Sequence, residues 1–121
     1  MKIYIATPVN AHKEATLIEK QRAALERVNV LKEKVKELHP EAEVWSSVGN
    51  IVVARKGLPE REAQIMGTCV RMVMESDVIL MDRGWEQSKG CRVEKFTAQI
   101  YGVEIWEVDQ FGEIGLFYYD V

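Results

Sequence analysis

The chain has 121 residues, 47% of them hydrophobic and 29% charged, with a formal net charge of −3. That is the length of a single domain (residues 1–121) with enough apolar material for a core, which excludes a disordered chain. The acidic balance argues against a protein that grips a nucleic-acid polymer, although one nucleotide needs only a few N–H groups or a single cation.

Lys2 to Ala6 (KIYIA) is a short apolar run ended by Thr7-Pro8, and it reads as a buried first strand rather than a secretory leader. A long helix is expected from about Lys13 to His39, bounded by Pro40. Its stripe is Leu17, Ile18, Ala24, Leu25, Val28, Leu31, Val35 and Leu38, and its other positions are mostly charged. Glu43 to Val48 is a weaker strand. Gly49 to Leu58 is a connection in which Ile51, Val52 and Val53 could add an edge strand. Pro59 suits the first turn of a helix that runs to about Glu75, with Ile65, Cys69, Val70 and Val73 on one face.

Asp77 to Met81 (DVILM) is the most continuous β run and reads as a central strand. Ser88 or Gly90 opens the next helix, with Val93, Phe96, Thr97, Ile100 and Tyr101 expected toward the core and Gly102 as its stop. Val103 to Val108 is a further strand, and Leu116 to Val121 a last strand or an aromatic packing arm. Short apolar runs alternating with amphipathic helices predict an α/β fold, a small doubly wound parallel sheet with helices on both faces. Lys2–Ala6 is expected beside Asp77–Met81.

The sequence has neither GxGxxG after the first strand nor GxxxxGK[ST], which argues against dinucleotide and ATP sites of those kinds. His12 and His39 have no ligand-like spacing to Cys69 or Cys91, so neither a metal nor another cofactor is expected. No apolar stretch approaches the roughly 20 residues needed to span a bilayer, and two cysteines fit a cytoplasmic chain with free thiols. In a sheet of this kind ligands bind beyond the carboxyl ends of the strands. That singles out Thr7 and Pro8 after the first strand, and Asp82, Trp85, Ser88 and Gly90 after the central one. Trp85, in a polar loop, could wall a pocket and stack on a flat ligand. Arg55 and Lys56 could reach over a bound anion. Glu94 lies near the start of its helix, where free N–H groups and the helix dipole favour a nearby carboxylate.

KIYIATP, SDVILMDRGW and SKGCRVEKFTAQIYG together resemble the nucleoside 2-deoxyribosyltransferase superfamily, in particular a short bacterial and phage branch with a GW-x-x-S-x-G-x-x-x-E block. The resemblance implies a Rossmann-like or flavodoxin-like fold and N-glycosidic chemistry on a deoxynucleoside or its 5′-monophosphate. It implies Glu94 as nucleophile or cation stabiliser, with Tyr4 beside it, and Ser88 on a 5′-phosphate. Ser88 favours hydrolysis over base exchange, because the transferases tend to carry an aspartate there. Superfamily sites are often completed by a neighbouring subunit, so a homodimer or larger assembly is expected. The chain departs from the family at Cys69, where an aspartate normally assists the departing base. Asp82, and more weakly Asp109 or the C-terminal carboxylate, are the remaining candidate proton donors. The competing readings are a non-catalytic nucleotide-binding module and a protein whose main feature is self-association through the long first helix.

Overall fold

The computed structural model describes residues 1–9, 17–48 and 59–116. Its elements in chain order are β1 (Lys2–Ala6), α1 (Leu17–Leu38), β2 (Glu43–Trp45), α2 (Pro59–Met74), β3 (Val78–Met81), a 3-10 turn (Trp85–Gln87), α3 (Lys89–Tyr101), β4 (Glu104–Val108) and β5 (Ile114–Leu116). The expected start of α1 at Lys13, the Ile51–Val53 strand, Arg55 and Lys56, and the tail beyond Leu116 lie outside the described residues.

The strands form one sheet in the order β2-β1-β3-β4-β5. Four are parallel, and β1 lies beside β3 with Tyr4 opposite Ile79 and Ala6 opposite Met81. The edge strand departs from the all-parallel expectation, since β5 runs antiparallel to β4. A tight turn causes the reversal. The Asp109 carboxylate accepts the N–H groups of Phe111 and Glu113 at 2.8 and 2.9 Å, and Gly112 takes a φ of 80° that suits glycine.

Alternation along the strands divides the core in two. Ile3, Ile5, Val78 and Leu80 pack with Val28, Leu31 and Val35 of α1. Tyr4, Ala6, Ile79 and Met81 pack on the opposite face with Met72 and Val73 of α2 and Cys91 and Ala98 of α3. Burying each large aliphatic side chain stabilises the fold by about 2 kcal/mol. A one-residue slip of β1 would exchange its two faces, so the register is strongly specified.

Two helix faces differ from the sequence expectation. In α1, Leu25 and Leu38 are exposed while Ala24, Val28, Leu31 and Val35 are buried. The larger difference is in α3. Of its expected core face only Thr97 is buried; Val93, Phe96, Ile100 and Tyr101 are exposed, Phe96 at 61%. The buried side instead carries Cys91, Glu94, Lys95, Thr97 and Ala98. A second strong apolar stripe therefore faces outward.

Candidate functional site

Glu94 is 6% exposed, and among the described residues its Oε2 has no hydrogen-bond partner. It stands in the second turn of α3, a helix begun by Ser88, whose Oγ accepts the Cys91 N–H at 3.2 Å. The helix dipole weakens beyond the first turn, so the ionising effect expected there is overridden. Burial pushes the Glu94 carboxyl up from its ordinary value to about 7, opposed by a hydrogen bond with Tyr4.

Tyr4 is fully buried, and its hydroxyl lies 2.8 Å from Ser47 Oγ. Burial, and then the charge of Glu94, raise the Tyr4 hydroxyl far above its usual range, so it stays protonated and can donate. Two thiols complete this surround. Burial and the Glu94 charge push Cys91 up to about 12 and raise Cys69 as well, keeping both protonated at neutral pH. Cys69 also shares hydrogen bonding with Ser47 and Tyr4. It is therefore near enough to feel the Glu94 charge.

Gly90 lies between Glu94 and Ser88. A Cβ there would stand 4.0 Å from both Glu94 Oε1 and Ser88 Oγ, an ordinary van der Waals separation. Trp85 is half-buried against the α2–α3 core, and its Nε1 donates to Glu107 at 2.7 Å. Lys95 Nζ lies 3.9 Å from the Trp85 ring centroid. These contacts anchor the ring beside the loop.

The other candidate residues face the opposite side of the sheet. Thr7 and Asp82 follow β1 and β3 by one residue and fall on the α1 face by strand alternation. The Thr7 hydroxyl donates to Asp82 at 3.3 Å, and Arg27 grips both carboxylate oxygens through Nε and Nη2 at 3.0–3.1 Å. The Arg83 N–H donates to the same carboxylate at 2.7 Å. With both oxygens so engaged, Asp82 is suited to shaping its surroundings rather than to surrendering a proton beside Glu94. Asp109 is likewise committed to its turn. Thr7, Pro8, Arg27 and Asp82 line a cavity of about 760 Å³ on this α1 face.

Sequence reasoning missed Ser47, Arg27 and the local role of Cys91. Ser47 had a usable signal, since it follows β2 at the carboxyl edge where β1 also ends. Arg27 had a weaker one, a cation at the border of a helix stripe. Among the described residues no group of three His, Cys, Asp or Glu side chains could hold a metal ion, and no helix is long and apolar enough to cross a membrane.

A family described as a domain of unknown function, DUF4406, matches residues 27–107. The chain belongs to the DUF4406 family. Its fold is similar to that of the 2-deoxyribosyltransferase from the psychrotolerant bacterium Bacillus psychrosaccharolyticus, with a TM-score of 0.61 and 16% identity over 88% of this chain and 71% of that one. A conserved protein from Enterococcus faecalis V583 superposes with the same TM-score of 0.61 and 19% identity, over 88% of this chain and 61% of its own. The chain thus spans less than two thirds of the Enterococcus protein. No curated protein matches in sequence. This DUF4406 member therefore has a nucleoside 2-deoxyribosyltransferase-like fold, and the DUF4406 match takes in Cys69, Ser88, Gly90 and Glu94.

Proposed function

We propose that this chain, acting as a single domain, cleaves the N-glycosidic bond of a deoxynucleoside 5′-monophosphate or nucleoside, with Glu94 as the reacting carboxylate. The observation that carries the reading is a buried glutamate beside Tyr4 and Gly90, with one oxygen unpartnered among the described residues. A nucleoside C1′–N bond breaks through an oxocarbenium-like state, which a carboxylate beneath C1′ stabilises or captures. In the capture form a Glu94 oxygen bonds to C1′ while the C1′–N electron pair leaves with the base. The base nitrogen takes a proton from solvent, and water then hydrolyses the glycosyl ester to restore the carboxylate. Tyr4 orients Glu94, and Ser47 orients Tyr4. Ser88 and the amides at the start of α3 suit a 5′-phosphate, which favours hydrolysis over base exchange.

Glu94 must be ionised to act. Because its value is about 7, kcat/KM is expected to rise with pH through that point and level off above it. The direct test is chromatography of a nucleotide and nucleoside panel for free base, with Glu94→Gln as control. Wild type that releases no base from any member of the panel defeats the enzymatic reading.

The second reading is a nucleotide-binding module without turnover, and Cys69 favours it. Cys69 is a buried thiol raised by desolvation and by the Glu94 charge, and the resemblance puts at this position the aspartate that assists the departing base. Cys69→Asp separates the two readings, since raised base release in the variant assigns the deficit to this one side chain. Self-association also belongs to the proposal. The exposed stripe of Val93, Phe96, Ile100 and Tyr101 on α3 suits an interface between copies. Phe96→Glu is expected to shift the mass by light scattering from oligomer to monomer while preserving the circular dichroism spectrum. A monomeric wild type at micromolar concentration refutes the assembly.

A further inference from the structure

The cavity on the α1 face takes no part in the proposed chemistry, because Glu94 and Tyr4 belong to the other side of the sheet. It nonetheless occupies the switch point of the fold. In the order β2-β1-β3-β4-β5, the crevice between the carboxyl ends of β1 and β3 is where open α/β sheets bind ligands. Its volume of about 760 Å³ lies within the range of small-molecule sites, roughly 300–1,000 Å³.

The space has a cause in α1. Along the helix the core positions Val28, Leu31 and Val35 fill the α1 face, but one turn earlier the wall is only Ala23 and Ala24. Among the described lining residues the charges do not cancel: Lys20, Arg27 and Arg83 stand against Asp82, three cations to one carboxylate. Arg27 holds Asp82, its own side chain 35% exposed, and two positive charges remain in a chain whose net charge is −3. A phosphate monoester carries a charge of roughly −1.5 to −2 at neutral pH, which matches that excess.

The far wall supplies a ring. Phe111 is 78% exposed at the tip of the β4–β5 turn. The turn is pinned by Asp109 and by Lys34 Nζ, which donates to the Gly112 carbonyl at 2.9 Å. An apolar ring held out on a rigid turn beside a cationic cavity is arranged to cover a flat ligand.

We propose that this cavity is a second ligand site, separate from Glu94, for a phosphorylated aromatic small molecule of nucleotide size. Its phosphate lies among Lys20, Arg27 and Arg83, and its ring lies against Phe111. Two measurements on the full chain test this, calorimetry and amide NMR, with AMP as probe and inorganic phosphate and adenosine as separate arms. The expected result is AMP binding tighter than either fragment, with amide shifts at Gly84, Phe111 and Gly112. The double variant Lys20→Glu/Arg83→Glu should weaken AMP at least tenfold and abolish those shifts, and Phe111→Ala should weaken it severalfold. The proposal is overturned by any of three outcomes: no AMP binding at millimolar concentration, affinity indifferent to the double variant, or affinity lost in Glu94→Gln with shifts confined to Gly90 and Cys91. Base release by the wild type is read separately, so the N-glycosidase reading can fail while this one stands, and the reverse.

Discussion

The two faces of the sheet handle charge in opposite ways. On the α2–α3 face a carboxylate is buried with a tyrosine and two protonated thiols, and no cation figures among the causes of its shift. Its pKa rises because desolvation dominates. On the α1 face Asp82 is buried as deeply, at 2% exposed, but an arginine fork, a hydroxyl and a backbone N–H satisfy it. The first carboxylate keeps an oxygen without a partner among the described residues, and the second is held by its partners. Burial alone therefore says little about what an acid does; its partners decide.

The largest expected effect breaks the contrast at its reactive end. Glu94→Gln should lower base release at least roughly a thousandfold, since it removes the charge that stabilises the cationic transition state. The same variant tests the burial argument without any substrate. The folded-state value of Glu94, about 7, lies above its ordinary 4.5, so the folded protein binds the extra proton. Its contribution to stability is full below about 4.5 and is lost as pH rises through about 7, a change of about 3 kcal/mol. Urea denaturation between pH 4.5 and 8.5 should show that decline in wild type, and it should be flattened in Glu94→Gln. A parallel decline in both proteins would place its source elsewhere.

The architectural end is tested by Arg27→Ala. Removing one partner of a buried pair typically costs 3–5 kcal/mol; because Arg27 is one-third exposed, about 2–3 kcal/mol is expected by denaturation. Arg27→Ala/Asp82→Asn should recover part of that loss, as the stranded charge is gone. No recovery would mean that Arg27 acts by packing instead.

Tyr4→Phe sharpens the comparison by depriving Glu94 of its hydrogen bond. The carboxyl should rise further above about 7, moving the midpoint of the pH–rate profile to higher pH. The loss in rate at neutral pH should be about tenfold, equivalent to about 1 kcal/mol. An unmoved midpoint would show that the Tyr4 hydroxyl serves Ser47 alone. The smallest effect is expected from Ser88→Ala. It loses the helix cap at about 1 kcal/mol of stability and should raise KM for a monophosphate while sparing a nucleoside. Equal changes for both substrates would remove Ser88 from the phosphate.

Local patterns determined the elements and several of their boundaries. The apolar runs KIYIA and DVILM became neighbouring parallel strands, Ser88 capped α3, and Gly102 ended it in a left-handed conformation. The GW-x-x-S-x-G-x-x-x-E spacing put Ser88, Gly90 and Glu94 on one helix start because a helical step is the same in any fold. Three features were decided only in three dimensions. Helical periodicity defines a stripe but not the surface that covers it, so Val93, Phe96, Ile100 and Tyr101 read as core when the sheet in fact receives Glu94 and Lys95. Strand alternation divides neighbours in sequence between opposite faces, so Tyr4 and Thr7, three residues apart, lie on different sides of the sheet. Partners distant along the chain, Arg27 for Asp82 and Ser47 for Tyr4, meet only when the sheet assembles. Those long-range contacts, which no local pattern encodes, distinguish the satisfied carboxylate of Asp82 from the desolvated one of Glu94.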